Sequence, residues 1–109
     1  KNMVAGQGAC CTALGDLPSV SFTGKTVRLS DDAKAVLATV AAKLKANPNC
    51  GVTINGYPET SKASQANCQK RSDAIKTYLV EKEGISADRI TTNCEIGGGD
   101  KNTVDVKCN

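Results

Sequence analysis

Histidine and tryptophan are missing altogether from these 109 residues, and the aromatic side chains amount to Phe22, Tyr57 and Tyr78. Without histidine the commonest general base is unavailable, and a mixed Cys/His zinc site cannot form. The six cysteines, at positions 10, 11, 50, 68, 94 and 108, contain no C-x-x-C pair, which argues against structural zinc as well. So few aromatics leave little surface for bases to stack on. Fourteen Lys and Arg are scattered among eleven Asp and Glu, a net charge of +3, so nucleic-acid binding is not expected. No apolar run approaches the roughly 20 residues that cross a bilayer, so direct membrane insertion of this domain is not expected either. No Ser or Cys stands in a nucleophile motif, and the paired acids Asp31 and Asp32 are accounted for by a helix start. A carboxylate-based secreted enzyme would need a second acid facing a cleft, and none is evident. No enzyme activity, cofactor or metal is expected.

The length suits one domain with one core. With aromatics scarce, that core must come from Val, Ile, Leu, Ala and the cysteines, and so thin a core would gain from crosslinks. An even number of cysteines in a short chain points to an oxidising compartment. Together with a first residue, Lys1, that is not an initiator Met, this suggests a processed or excised soluble piece of an exported protein.

Residues 1–17 carry glycines, little periodicity and the adjacent Cys10 and Cys11, and are expected to form a lead-in tied down by disulfides; residues 18–109 form the domain proper. "SVSF" places Val20 and Phe22 on one face of a short strand. Ser30 with Asp31 and Asp32 is a helix start, a hydroxyl to cap free N–H groups followed by acids that complement the dipole. Ala33, Val36, Leu37, Val40, Ala41 and Leu44 then recur at helical spacing until Pro48 ends the run. "CGVTINGY" alternates as a half-buried strand, with Cys50, Val52 and Ile54 on one face and Thr53 and Asn55 on the other. A second helix is predicted from about Ser64 to Glu83, with Cys68, Ile75, Tyr78 and Leu79 inward and Gly84 as its C-terminal cap. "RITTNCEI" sets Ile90, Thr92, Cys94 and Ile96 in phase, and "TVDVKC" does the same for Val104, Val106 and Cys108. "GGGD", residues 97–100, opens onto a strand rather than a helix, so it reads as a flexible hairpin and not as a phosphate-binding loop. The order strand, helix, strand, helix, strand, strand predicts an α+β fold, a two-layer α/β sandwich with two helices on one face of a four-stranded sheet.

Cys50, Cys94 and Cys108 fall on core-facing strand positions and Cys68 on the core stripe of a helix. They are read either as buried thiols or as disulfides, and the even count in a thin core favours disulfides. Arg71 is the anomaly. Three residues after Cys68 and four before Ile75, it projects from a stripe that otherwise faces the sheet. It either snorkels or pairs with an acid such as Glu59, or it grips a ligand carboxylate with its two-pronged guanidinium.

From about Leu17 to Cys108 the sequence resembles the OmpA-like, peptidoglycan-associated domain family. "LPSVSFTGKTVRLSDDAKAVLATVAAKLKANPNCGVTINGY" is similar to that family's opening: a strand ending in Phe, a loop, L-S, a helix closing in N-P and a strand ending in Gly. "RSDAIKTYLVEKEGISADRI" resembles its R-A-x-x-V-x-x-Y-L-x-x-x-G-I-x-x-x-R-I. The resemblance implies a mixed sheet in the order 1-4-2-3. It also implies a binding site in which an Asp of a G-H-T-D motif and an Arg on the next helix hold the diaminopimelate of the peptidoglycan stem peptide. Arg71 matches the family Arg. The H-T-D positions hold Tyr57, Pro58 and Glu59, the following loop is shorter, and Asn67 and Cys68 occupy the last two places of the usual N-x-x-L-S. The family's N-R-R-V-E has become "NTVDV". In its "SK…Q…R" and "GGD…NTVD" stretches the chain resembles a divergent branch found in envelope proteins of the Bacteroidetes type.

The implied ligand-binding residues are therefore Arg71, Glu59, Tyr57 and Asn67, and the implied partner is peptidoglycan in the periplasm or at the outer membrane. The competing expectation is a disulfide-stabilised scaffold that contacts another envelope protein. The implied topology also brings Cys68 to Cys94, and places Cys10 and Cys11 near Cys50 and Cys108 in an order left open. The alternative is a Cys10–Cys11 bridge beside Cys50–Cys108.

Overall fold

The computed structural model describes residues 10, 12–15, 17–24 and 26–108. Strand β1 (Val20–Ser21) is followed by helix α1 (Asp31–Ala46), β2 (Val52–Gly56), helix α2 (Lys62–Glu81), a 3-10 turn (Ala87–Arg89), β3 (Ile90–Cys94) and β4 (Thr103–Cys108). The four strands form one sheet in the order β1-β4-β2-β3. β2 and β3 are parallel and joined through α2, whereas β4 runs antiparallel to both β1 and β2. This is the α+β sheet order that the family resemblance implies.

Local chemistry explains most element ends. The Ser30 hydroxyl accepts the Ala33 N–H at 3.1 Å and starts α1. Ala33, Leu37, Val40, Ala41 and Leu44 form its buried stripe. Arg89 closes the other end by donating to the carbonyls of Leu44 and Asn47, and also to that of Cys50. These are helix-terminal acceptors that a cation suits. Helix α2 begins two residues before the expected Ser64, because Ser61 is the N-cap and accepts the Ser64 N–H. It ends at Glu81 rather than Glu83. Gly84 supplies the left-handed residue (φ 74°) that lets Ile85 N–H return to the Leu79 carbonyl. β1 is shorter than "SVSF" suggests. Pro18 has no N–H for the ladder, and Ser19 bonds the Asp105 carboxylate through its side chain instead.

Three other expectations are corrected. Asn55, placed on the outer face of β2, is buried there and accepts a hydrogen bond from Asn93 Nδ2 at 2.7 Å. The glycine segment is not a hairpin. β3 and β4 are separated by β2, so residues 95–102 cross over the end of β2 and over Tyr57. A Cβ on Gly98 or Gly99 would come within 2.8 Å of the Tyr57 ring, so these glycines serve close packing rather than looseness. Ile96 keeps the inward parity of Ile90 and Cys94 but is 50% exposed, because it lies past the end of β3.

The core lies between the helices and the inner sheet face, with Leu37, Val40, Leu44, Val52, Ile54, Ile75, Leu79 and Val104 at its centre. Leu14 is buried with them. Disulfide Cys68–Cys94 joins α2 to β3, Cys10–Cys50 ties the N-terminal segment to the chain just before β2, and Cys108 is also disulfide-bonded. The expectation for Cys11 lies outside the described residues. With sequence separations of 40 and 26 between partners, loop-closure entropy assigns each bridge about 3–4 kcal/mol.

Candidate functional site

The carboxyl ends of β2 and β3, the amino end of α2, the loop after β1 and the crossover 95–102 converge at one end of the sheet. Register causes this convergence. Gly56 stands opposite Cys94 on one side and Val104 on the other. Cys68, on the second turn of α2, is bonded to Cys94. Its sulfur passes so close to Gly56 that a Cβ there would lie 2.5 Å away. Gly56 is thus the residue that lets the helix dock on the sheet at this point.

Arg71, one turn further along α2, is buried, with 4% of its surface exposed. Its Nε donates to the Thr26 carbonyl at 2.7 Å and Nη2 to the Gly24 carbonyl at 2.7 Å. Nη1 donates to the Lys101 carbonyl at 3.0 Å and to Asn102 Oδ1 at 3.3 Å. The guanidinium also lies 4.7 Å from the centre of the Phe22 ring, a cation–π distance. Arginine has five N–H donors, so this network occupies most of them in holding the β1–α1 loop against the crossover. Every acceptor is a neutral oxygen, and neither ion pair found among the described residues involves Arg71. Burial pulls its pKa below the usual arginine value.

Above the guanidinium opens a cleft of about 470 Å³, lined among others by Glu59, Ser64, Asn67, Arg71, Lys101 and Asn102. The expected pairing of Arg71 with Glu59 is not seen. Glu59 meets Lys101 at 3.5 Å, with both side chains more than half exposed, an arrangement worth about 0–1 kcal/mol. The turn carrying Glu59 is well tied down. Its N–H donates to Ser64 Oγ at 2.8 Å, and Gln65 Nε2 reaches the Thr60 carbonyl at 2.9 Å. Of the residues singled out in the sequence, Arg71, Glu59 and Asn67 therefore share one cleft.

Tyr57 does not. It points to the opposite sheet face, where its hydroxyl donates to Asp105 Oδ2 at 2.5 Å and its ring lies 5.8 Å from Lys107 Nζ. Asp105 also accepts from Ser19 Oγ at 2.6 Å. These two hydroxyls, Ser19 first, hold the Asp105 carboxyl below the usual aspartate range. Tyr57 does line a neighbouring groove with Pro58 and Ile96. Lys101 escaped the sequence reading because it sits beyond the glycine run. The only signal nearby was Asn102, the first residue of the "NTVDV" that stands in the place of N-R-R-V-E.

Among the described residues no group of His, Cys, Asp and Glu could hold a metal ion, and no helix is long and apolar enough to cross a membrane. The OmpA-like domain of FopA1 from Francisella tularensis superposes with a TM-score of 0.68 at 20% identity, covering 81% of this chain and 68% of that one. The peptidoglycan-associated lipoprotein from Burkholderia pseudomallei gives 0.68 at 22%, over 84% and 89%. A putative MotB-like protein from Desulfovibrio vulgaris gives 0.68 at 17%, over 95% and 86%. No curated protein matches the chain. The model of the OmpA family matches residues 21–107, from β1 to the penultimate residue of β4, and the chain belongs to the OmpA family.

Proposed function

We propose that this chain is a noncatalytic module of the bacterial cell envelope whose cleft above Arg71 takes a carboxylate of the peptidoglycan stem peptide. One observation carries the reading: a buried guanidinium forms the floor of an open cleft, and every oxygen it donates to among the described residues is neutral. Carbonyl dipoles solvate a cation but do not cancel its charge, so an anion entering the cleft gains attraction in a region partly shielded from water. Arg71 retains an N–H for it, and Asn67 and Lys101 stand above as further donors. Glu59, released from Lys101, is placed to accept a ligand ammonium. Membership of the OmpA family supports this ligand class, as does the fold shared with a peptidoglycan-associated lipoprotein. The disulfides, Cys10–Cys50 and Cys68–Cys94 among them, favour an oxidising, extracytoplasmic location, at the periplasm or outer membrane.

The test is a titration of the oxidised protein with a stem tripeptide ending in diaminopimelate, followed by amide NMR shifts, beside the same peptide amidated at the side-chain carboxylate of its diaminopimelate. The free acid is expected to shift residues 59–71 and 100–102, the amide much less. Lys101→Ala is expected to weaken binding roughly two- to fivefold, as for an exposed charge pair. Absence of any shift at millimolar peptide would sink the reading.

A specific observation favours a second reading, a scaffold that kept the fold and contacts another envelope protein. Most of the Arg71 donors are already engaged by the chain's own loops. On that reading, purified cell-wall sacculi fail to sediment the protein and no stem peptide binds it.

A further inference from the structure

Ile96 is the one large apolar side chain exposed among the described residues. Its exposure is built in. Glu95 N–H bonds the Gly56 carbonyl at 2.8 Å and Gly97 N–H the Pro58 carbonyl at 3.4 Å, so the backbone on both sides of Ile96 is tied to the end of β2 and the residues just after it. Gly98 and Gly99 lie against the Tyr57 ring and fix the crossover further. Ile96 therefore carries the inward parity of β3 to a place that no helix covers. A groove of about 320 Å³ runs beside it, lined by Tyr57, Pro58, Ile96 and Gly97, and continues to Glu59 and Lys101. Those last two residues also line the cleft above Arg71. Their exposed side chains pair at 3.5 Å, and they are the lining residues that the two depressions share.

We infer that the two depressions act as one trough, with the carboxylate of an extended peptide above Arg71 and a small aliphatic side chain of the same peptide on Ile96. The charge pattern selects this occupant. Arg71 has no carboxylate partner among the described residues, and Lys101 is held from outside by an exposed acid that an incoming carboxylate can replace. An apolar contact one step beyond that anionic site suits a peptide with an acidic residue next to an aliphatic one. Opening the Glu59–Lys101 pair costs little, because exposed pairs contribute little. The inference rests on the stem-peptide reading above and adds to it an aliphatic subsite formed by Ile96.

The experiment compares three probes by calorimetry: the diaminopimelate-terminated stem peptide, and the same peptide extended by one alanine or one glycine. Burial of one methyl group favours the alanine extension about fourfold over glycine in the wild type. In Ile96→Ser that ratio is expected to fall to near one while the unextended peptide binds as before; the exposed position leaves the fold intact. If the unextended peptide binds but alanine and glycine extensions are equal in wild type, or the preference survives in Ile96→Ser, the subsite is wrong and the stem-peptide reading stands. If no peptide binds the wild type, both fall.

Discussion

Replacing Arg71 by alanine removes four hydrogen bonds and leaves the carbonyls of Gly24, Thr26 and Lys101, and the amide oxygen of Asn102, without their donor. It also removes the contact with the Phe22 ring, worth about 0.5–1 kcal/mol. Hydrogen bonds to charged groups contribute about 1.5–3 kcal/mol each, but a plain sum overstates the loss. Gly24, Thr26 and Lys101 are surface residues, and water can reach some of the vacated acceptors. The expected destabilisation is about 3–5 kcal/mol, the scale seen when one partner is taken from a buried charged network. With a urea m-value of about 1–3 kcal/mol/M, the unfolding midpoint falls by at least about 1 M. Arg71→Lys keeps the charge but loses the planar fork that reaches two loops at once, so it should recover about half. The assay is equilibrium urea unfolding of the oxidised proteins by far-UV circular dichroism, accepting midpoints only where m is unchanged. A loss below about 1 kcal/mol in Arg71→Ala would refute the clamp. The loop carbonyls would then be served by water, and the guanidinium would be poised for a ligand alone.

Gly56→Ala sets a methyl group against Cys68 Sγ. It should cost about 1–3 kcal/mol and slow formation of Cys68–Cys94 during oxidative refolding, measured by thiol counting. Ser72 is fully buried and its hydroxyl has no partner among the described residues, so Ser72→Ala should raise stability by about 1 kcal/mol, read from the urea midpoint; a loss of that size would mean the hydroxyl has a partner after all. The depressed Asp105 carboxyl makes stability depend on acid in a defined direction. Its contribution is complete above the unfolded aspartate pKa of about 3.9 and is lost as pH falls through the lower folded value. Asp105→Asn should flatten the fall in urea midpoint between pH 5 and 2, and an unchanged profile would show that other carboxylates set it.

The two helices were legible because their information is local. A hydrophobic stripe repeats within a few residues, Ser30 caps α1 within three residues of itself, and Gly84 ends α2 by its own backbone freedom. Strand parity likewise placed Val52, Ile54, Val104 and Val106 correctly in the core. It misplaced Ile96, because parity says which face a side chain takes but not whether another layer covers that face. Sheet order and the Cys68–Cys94 bridge followed only from family resemblance, since no local pattern records which strand lies next to which. The glycine run shows the same limit. Turn chemistry identified a bend, but only the strand order shows that it must cross β2 and pack on Tyr57. In the candidate site the sequence by itself determined that a charged residue, Arg71, lies on an apolar helix stripe. Only the tertiary structure decided what that charge meets. Its partners Gly24, Thr26 and Lys101 are 47, 45 and 30 residues away, and contacts across such distances arise from the packing of helix on sheet, which periodicity does not encode.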